Sequence, residues 1–325
     1  MPRLSFLFRT DVHVADHSPI SWKADYPTEI WSNLEQIGQI AKAHEVNAVL
    51  DGGDYFHVKP AYKNSHHLVE KTARIHRAYH CPTFSIEGNH DMTSNNLESV
   101  SKQPLGVLYA SGVFQHLREQ VFKDGDLQVR VVGVPYDPRR SLEDLLRIEK
   151  QPGDTHLITI VHALAGLNPP PSVEDFFNEP VFRYQALVRR NGPDVMCFGH
   201  WHRDQGVEQL EGRYFVNHGS VSRGSLIREN LLRTPKVSII EIDGGEVRVK
   251  EVPLQVAPPE EVFDLEKKES QEQEQDRIDR FVLTLLADSS FDESLTIEEN
   301  VKTLNFAQDV RSEALHFLDL ARTVG

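Results

Sequence analysis

Along the first 255 residues, short apolar runs alternate with longer polar stretches. Leu4–Phe8, Ala48–Leu50, Thr83–Ile86, Val129–Val134, Leu157–Val161 and Val195–Phe198 are each too short for a buried helix and read as strands. Helix-length segments, about residues 28–44 and 62–79, separate the first three. In the first of these, Ile30, Leu34, Ile37 and Ile40–Ala41 recur at helical spacing, with Thr28 ahead of them as a candidate N-cap. This strand–helix–strand–helix–strand order predicts a parallel or mixed sheet with helices on its faces. Further on, Arg213–Asn217, Lys236–Ile242 and Glu246–Val252 read as antiparallel strands. Asp243-Gly244-Gly245 supplies a hairpin turn between the last two. No internal repeat is present.

The pattern changes after residue 255. Residues 256–275 are polar, begin with prolines and read as an acidic linker. In residues 276–325, Ile278, Phe281, Val282, Leu285 and Leu286 share one helical face. Val301, Leu304, Val310, Ala314, Phe317, Leu318 and Ala321 form a second. A helical hairpin packed on its own body and a pair of partner-binding helices fit this pattern equally well. The expected organisation is a 1–255 catalytic domain, a 256–275 linker and a 276–325 helical tail.

Composition refines this picture. Cys81 and Cys197 are the only cysteines and lie far apart, which suits a reducing compartment. The N-terminal apolar run is too short for a signal peptide, and no stretch is long enough to span a membrane. A cytoplasmic protein is expected. The net charge of −14 argues against nucleic-acid binding, but its distribution weakens that objection. From Val256 onward 17 acidic side chains face 7 basic ones, so most of the net charge lies in residues 256–325. A near-neutral body can hold a local basic groove, and bound cations would add positive charge.

The chemistry lies where the strands end. The first runs into Asp11-Val12-His13, the second into Gly52-Gly53-Asp54 and the third into Gly88-Asn89-His90-Asp91. Leu157–Val161 runs into His162, and Val195–Phe198 into Gly199-His200-Trp201-His202. Each cluster alone is an ordinary turn sequence. Five at successive strand ends are a strong signal, because ligands gather at the carboxyl ends of such strands. Strand alternation would point Asp11 and His13 to one side, and likewise His200 and His202. The candidate metal ligands are Asp11, His13, Asp54, Asn89, His162, His200 and His202. Mixed oxygen and imidazole donors suit borderline divalent ions such as Mn²⁺, Fe²⁺ or Zn²⁺. Seven donors exceed one octahedron with open positions, so two ions are expected, bridged by the two oxygens of Asp54. Paired ions activate water and stabilise both oxygens in phosphoester cleavage. The glycines before Asp54, Asn89 and His200 would let the backbone turn sharply. His90 is free to protonate a leaving oxygen, with Asp91 orienting it.

These five segments, "DVH", "GGD", "GNHD", His162 and "GHWH", resemble the signature of calcineurin-like metallophosphoesterases over roughly residues 1–255. The resemblance implies an α/β fold, a four-layer αββα sandwich around a dinuclear site, here with a short C-terminal helical appendage. Within that superfamily, "GGDYFHVKP", "SIEGNHD" and "FGHWH" look like the SbcD-type double-strand-break-repair nucleases. That closer resemblance implies a manganese-dependent 3′–5′ exonuclease and endonuclease acting on DNA, with Fe²⁺, Zn²⁺ and Mg²⁺ as alternative ions. It puts His57, three residues after the bridging aspartate, in the active site facing phosphate. It further implies homodimerisation and an SMC-like, SbcC-type ATPase gripping the C-terminal helices. Two features depart from the family. Only about 70 residues follow position 255, so a DNA-capping domain would be reduced or absent. His218 stands where a proline or small residue is expected, as a turn residue or a support for the ligands.

His76 and His80 have metal-like i,i+4 spacing but no third ligand, which favours a solvated or dimer-facing helix. Among the basic residues, Arg223 is the candidate for contact with DNA phosphate, because it closely follows the last metal motif. The competing functions are a small-molecule phosphodiesterase or protein phosphatase on the same scaffold, and a catalytically silent scaffold that binds an ATPase. The complete ligand set argues against the last.

Overall fold

The computed structural model describes residues 2–266. β1 (Arg3–Arg9), β2 (Ala48–Asp51), β3 (Thr83–Ser85) and β4 (Phe114–His116) run parallel and side by side. β5 (Glu119–Asp124), β6 (Leu127–Val134) and β7 (His156–His162) belong to a second sheet. β8 (Ala165–Gly166) and β9 (Phe182–Arg183) form a small ribbon. β10 (Val195–Gly199), β11 (Gly206–Leu210) and β12 (Arg213–Asn217) complete the second sheet, in the order β11-β12-β10-β7-β6-β5. β13 (Lys236–Asp243) and β14 (Glu246–Pro253) return to the first sheet, whose order is β14-β13-β1-β2-β3-β4. Asp243 pairs with Glu246, and Gly244 and Gly245 take the positive φ of the two-residue turn between them.

The two sheets pack face to face. Leu4, Phe6 and Phe8 of β1 point inward and meet Val129, Val131, Ile158, Ile160, Val195 and Cys197 of the second sheet. Leu7, between them, faces outward with Val49 and Ile239. Each such buried Leu or Phe gains roughly 1.5–3 kcal/mol over an exposed one. α1 (Tyr26–Ala43), α2 (His66–Arg77) and α3 (Pro104–Ala110) contribute Ile30, Leu34, Ile37, Leu68, Ile75, Leu105 and Leu108 to the cluster on that outer face. On the far side, α4 (Leu142–Leu146) and its neighbours place Leu145, Tyr184 and Leu187 against Val161, Met196 and Phe198. The result is the layered αββα sandwich that the sequence implies.

Some details differ from the sequence reading. Asp25, not Thr28, caps α1: its carboxylate accepts the Thr28 N–H at 3.2 Å, so Thr28 already lies in the first turn. β12 is antiparallel to β11 but parallel to β10. The polar edge strand β5 carries no apolar alternation strong enough to announce it. The first part of the segment read as linker packs on the body, with Val262 and Phe263 buried beside Trp22 and Tyr26. The helical tail expected at 276–325 lies outside the described residues. Among those described, no helix is long and apolar enough to cross a membrane.

Candidate metal centre

β1, β2, β7 and β10 deliver the chain to the residues that carry the chemistry. β1 stops at Arg9 and β10 at Gly199, so strand alternation does not aim Asp11, His13, His200 or His202. Left-handed turns do. Asp11 has φ 53°, His13 51°, Asp54 54° and His200 87°. Side chains with a Cβ enter this region at a cost of about 1–2 kcal/mol each, so the surroundings must hold them there. The first two loops hold one another. Asp11 N donates to Gly53 O at 3.0 Å, His13 N to Asp54 O at 3.1 Å and Gly52 N to Arg9 O at 2.9 Å. Ser220 Oγ and Tyr26 Oη donate to the carbonyl oxygens of Asp11 and His13.

The predicted donors converge. Asp11, His13, Asp54 and His202 form one group and Asp54, His162 and His200 another, the donor atoms of each lying within 4.8 Å of one another. Asp54 belongs to both. Its Oδ2 is 3.9 Å from His13 Nε2 and 3.5 Å from His162 Nε2, whereas Oδ1 accepts the His90 N–H at 2.7 Å. Oδ2 is thus the Asp54 oxygen that faces the imidazoles of both groups, while Oδ1 is engaged by the backbone. Asn89 joins the second group, its amide oxygen 3.4 Å from His162 Nε2.

Outer contacts fix these donors. His162 Nδ1 donates to Gly52 O at 2.7 Å, which turns Nε2 toward Asp54. His200 Nε2 lies 3.0 Å from Glu179 Oε2, leaving Nδ1 for the centre. Glu179 Oε1 in turn accepts from Tyr136 Oη at 2.5 Å. Thr10 Oγ1 donates to Asp11 Oδ2 at 2.8 Å, and the His200 N–H reaches both Asp11 oxygens at 3.1 Å. Gly88 is required for lack of space rather than for a turn: a Cβ there would meet Asp54 Oδ1 at 2.1 Å.

The electrostatics favour a cation. Burial works against charge on Asp11, yet His202 and His162 hold its carboxyl at about 2. Burial opposes ionisation of Asp54 too, but His162, His13 and His90 hold it well below the usual range. Burial pushes His13 well down, helped by His202 and His90. Only His162 goes the other way: against burial, Asp54 and Asp11 raise it to about 9. Two carboxylates held ionised thus lie buried among imidazoles, one of which burial keeps from charging, a setting that suits a bound cation. One end of the Asn89 amide lies 3.1 Å from both Asp54 Oδ2 and His200 Nδ1, within reach of the same centre. The residues fit divalent metal.

Comparison with known proteins gives the family. The family model for calcineurin-like phosphoesterase matches residues 4–204. The chain belongs to the calcineurin-like phosphoesterase family. The double-strand break repair protein mre-11 of Caenorhabditis elegans is 23% identical over 323 residues, covering 79% of this chain. The chain spans 42% of the length of that relative. The crystal structure of TT1561 of Thermus thermophilus covers 78% of this chain and all of its own at 13% identity, with a TM-score of 0.43.

In this phosphoesterase some of the remaining candidate residues have other partners than the sequence suggests. His90 Nδ1 donates to His57 O at 2.6 Å, so a backbone carbonyl, not Asp91, orients its ring. Asp91 is buried and accepts the N–H groups of Tyr55, Phe56 and Gly88, bracing the turns around Asp54 and Asn89. Burial and then the charge of Asp54 push its carboxyl well up despite those bonds. The His57 ring stacks beside His90 at 5.5 Å and stands 5.4 Å from His13. Burial, His90 and His202 lower its pKa. Arg223, the expected phosphate contact, is turned inward: it is 1% exposed and bonded to Glu29 at 2.9 Å and Ala257 O. His218 is also buried, 3.3 Å from Phe8 O. Asp51 receives Arg9 at 2.7 Å and the Gly53 N–H at 3.1 Å, and His76 lies against Arg9 in the same buried network. Glu179, Tyr136 and Thr10 were not found from sequence. Glu179 lies in an acidic loop with no spacing to mark it.

Proposed function

We propose that this phosphoesterase is a DNA nuclease, cleaving phosphodiester bonds as a 3′–5′ exonuclease and endonuclease with two divalent ions, Mn²⁺ first among them. The carrying observation is the meeting of all seven candidate donors in two groups that share Asp54. Support for DNA comes from the repair nuclease resemblance of "GGDYFHVKP" and from the name of the worm relative. Asp11, His13, Asp54 and His202 would hold one ion, and Asp54, Asn89, His162 and His200 the other. Bound ions would supply Lewis-acid stabilisation and an activated water at neutral pH.

The chain's own residues do the rest. Glu179 and Gly52 O fix which imidazole nitrogens face the centre. His90 gives its Nδ1–H to His57 O, so it would hand a proton to the leaving oxygen from Nε2 only as the cation that carries a hydrogen on both nitrogens. His57 lines the phosphate approach beside it. Asp91 acts at a distance, by holding the backbone. The catalytic domain would work in the cytoplasm as a homodimer. An SMC-like ATPase would grip the C-terminal helices.

A small-molecule phosphodiesterase or protein phosphatase is the second reading, favoured by the burial of Arg223, which removes the nominated backbone contact. Purified protein is to be incubated with Mn²⁺ and end-labelled linear DNA, and in parallel with bis-p-nitrophenyl phosphate and a phosphopeptide. Metal-dependent release of nucleotides is expected, falling by about 10²–10⁴-fold in His90→Gln with metal content unchanged. Turnover of the small substrates with intact DNA would transfer the assignment to the second reading.

A further inference from the structure

We propose that the buried pair Arg9–Asp51 is a positioning device that sets the turns carrying Asp11 and Asp54, and that His76 on α2 holds Arg9 to that task. This rests on the reading of the centre as a metal site and gives a role to a charged network behind it.

Arg9 ends β1 just before Asp11, and Asp51 ends β2 just before Asp54. Both side chains are fully buried, with Nε donating to Oδ2 at 2.7 Å. Asp51 Oδ1 takes the Gly53 N–H at 3.1 Å, with the Ser85 hydroxyl 3.3 Å away. Gly53 O in turn receives the Asp11 N–H at 3.0 Å, and Gly52 N donates to Arg9 O at 2.9 Å. The pair therefore stands directly behind both turns.

The far side of the guanidinium meets α2. One nitrogen lies 2.9 Å from His76 Nε2 and another 3.3 Å from Tyr79 Oη. His76 Nδ1 lies 2.9 Å from Thr72 O. A carbonyl only accepts and a guanidinium only donates, so this ring carries its hydrogen on Nδ1 and turns a lone pair to Arg9. His76, expected on a solvated or dimer-facing side, points inward and is buried.

Packing alone does not call for these charges. An apolar pair of similar volume is often neutral or stabilising in such a place, because a buried ion pair gives up two hydration shells. What the ions add is direction. Asp51 selects the N–H of Gly53, which holds φ 92° immediately before Asp54. The left-handed turns at Asp11 and Asp54 are costly and need fixed partners of this kind.

The test uses the full chain carrying Arg9→Met with Asp51→Leu, and separately His76→Leu and His76→Gln. Three quantities are read: the thermal midpoint without metal, Mn²⁺ affinity by calorimetry, and hydrogen exchange of the Asp11 and His90 amides. Those amides bond to Gly53 O and Asp54 Oδ1 and not to the pair. The double variant should keep or raise its midpoint. It should bind Mn²⁺ about 10–100-fold more weakly, as on loss of contacts behind metal ligands, and both amides should exchange faster. His76→Leu leaves a guanidinium N–H unmet and should weaken Mn²⁺ a few-fold; His76→Gln, whose carbonyl accepts, should recover it. Unchanged affinity and exchange in the double variant overturn the proposal. Should that variant not fold, equal Mn²⁺ affinity in His76→Leu and the unmodified chain overturns it instead. If the unmodified chain takes up no Mn²⁺ while the two amides still exchange faster in the double variant, the metal reading fails and the positioning role stands.

Discussion

The two donor groups share Asp54 and little else. In the group of Asp54, Asn89, His162 and His200, both imidazoles are buried and each has its outward nitrogen tied, one to Gly52 O and one to Glu179. In the group of Asp11, His13 and His202, His13 Nδ1 is buried with no partner and the His202 side chain is 47% exposed. The first group is preorganised: its rings pay their ordering cost in folding. The second must settle its rings when an ion binds. On the two-ion reading proposed above, the difference teaches that the two groups would not hold their ions alike, and that contacts outside the ligands would set the order of loading.

The largest test strikes what the groups share. Asp54→Asn should cut Mn²⁺ content at both and lower phosphodiester hydrolysis by at least about a thousandfold, as for loss of a main electrostatic stabiliser. Metal analysis after gel filtration measures this, and full retention of either ion would separate the groups. A smaller change narrows the contrast. Glu179→Gln should weaken the buried group by about 10–100-fold, the usual cost of losing a carboxylate behind a ligating histidine. Calorimetry should show the tighter phase moving toward the weaker one.

The smallest effect is in pH. His162 carries a proton up to about pH 9 in the metal-free protein, so an ion must displace it. Affinity at the buried group should climb about tenfold between about pH 7 and 8, and Mn²⁺ binding should release a proton detectable as a buffer-dependent heat. The sign for stability is opposite. A raised imidazole stabilises the metal-free fold below its ordinary value and loses that contribution as pH rises through about 9. Denaturant melts of chelator-treated protein at pH 6, 7.5 and 9 should show the decline.

The core strands and the candidate donors were legible because both depend on local order: an apolar run, then a polar cluster at its end. What aims the donors was not. Positive φ at Asp11, His13, Asp54 and His200 is imposed by neighbouring loops on residues that do not prefer it, and no spacing marks that. Asp91 follows His90 in sequence, yet its carboxylate is used up by the backbone of Tyr55 and Phe56. Arg223 looked free because its partner Glu29 is 194 positions away. Glu179 reaches His200 from a loop across the site, for the same reason invisible in a linear reading.

The most direct measurement is a Mn²⁺ titration of the metal-free protein and of His202→Ala, followed by calorimetry at fixed pH. Two ions of unequal affinity are expected in the unmodified chain, with only the weaker lost in the variant. A single ion, two equal ones, or loss of the tighter phase in His202→Ala would contradict a centre built from one preorganised and one looser group around Asp54.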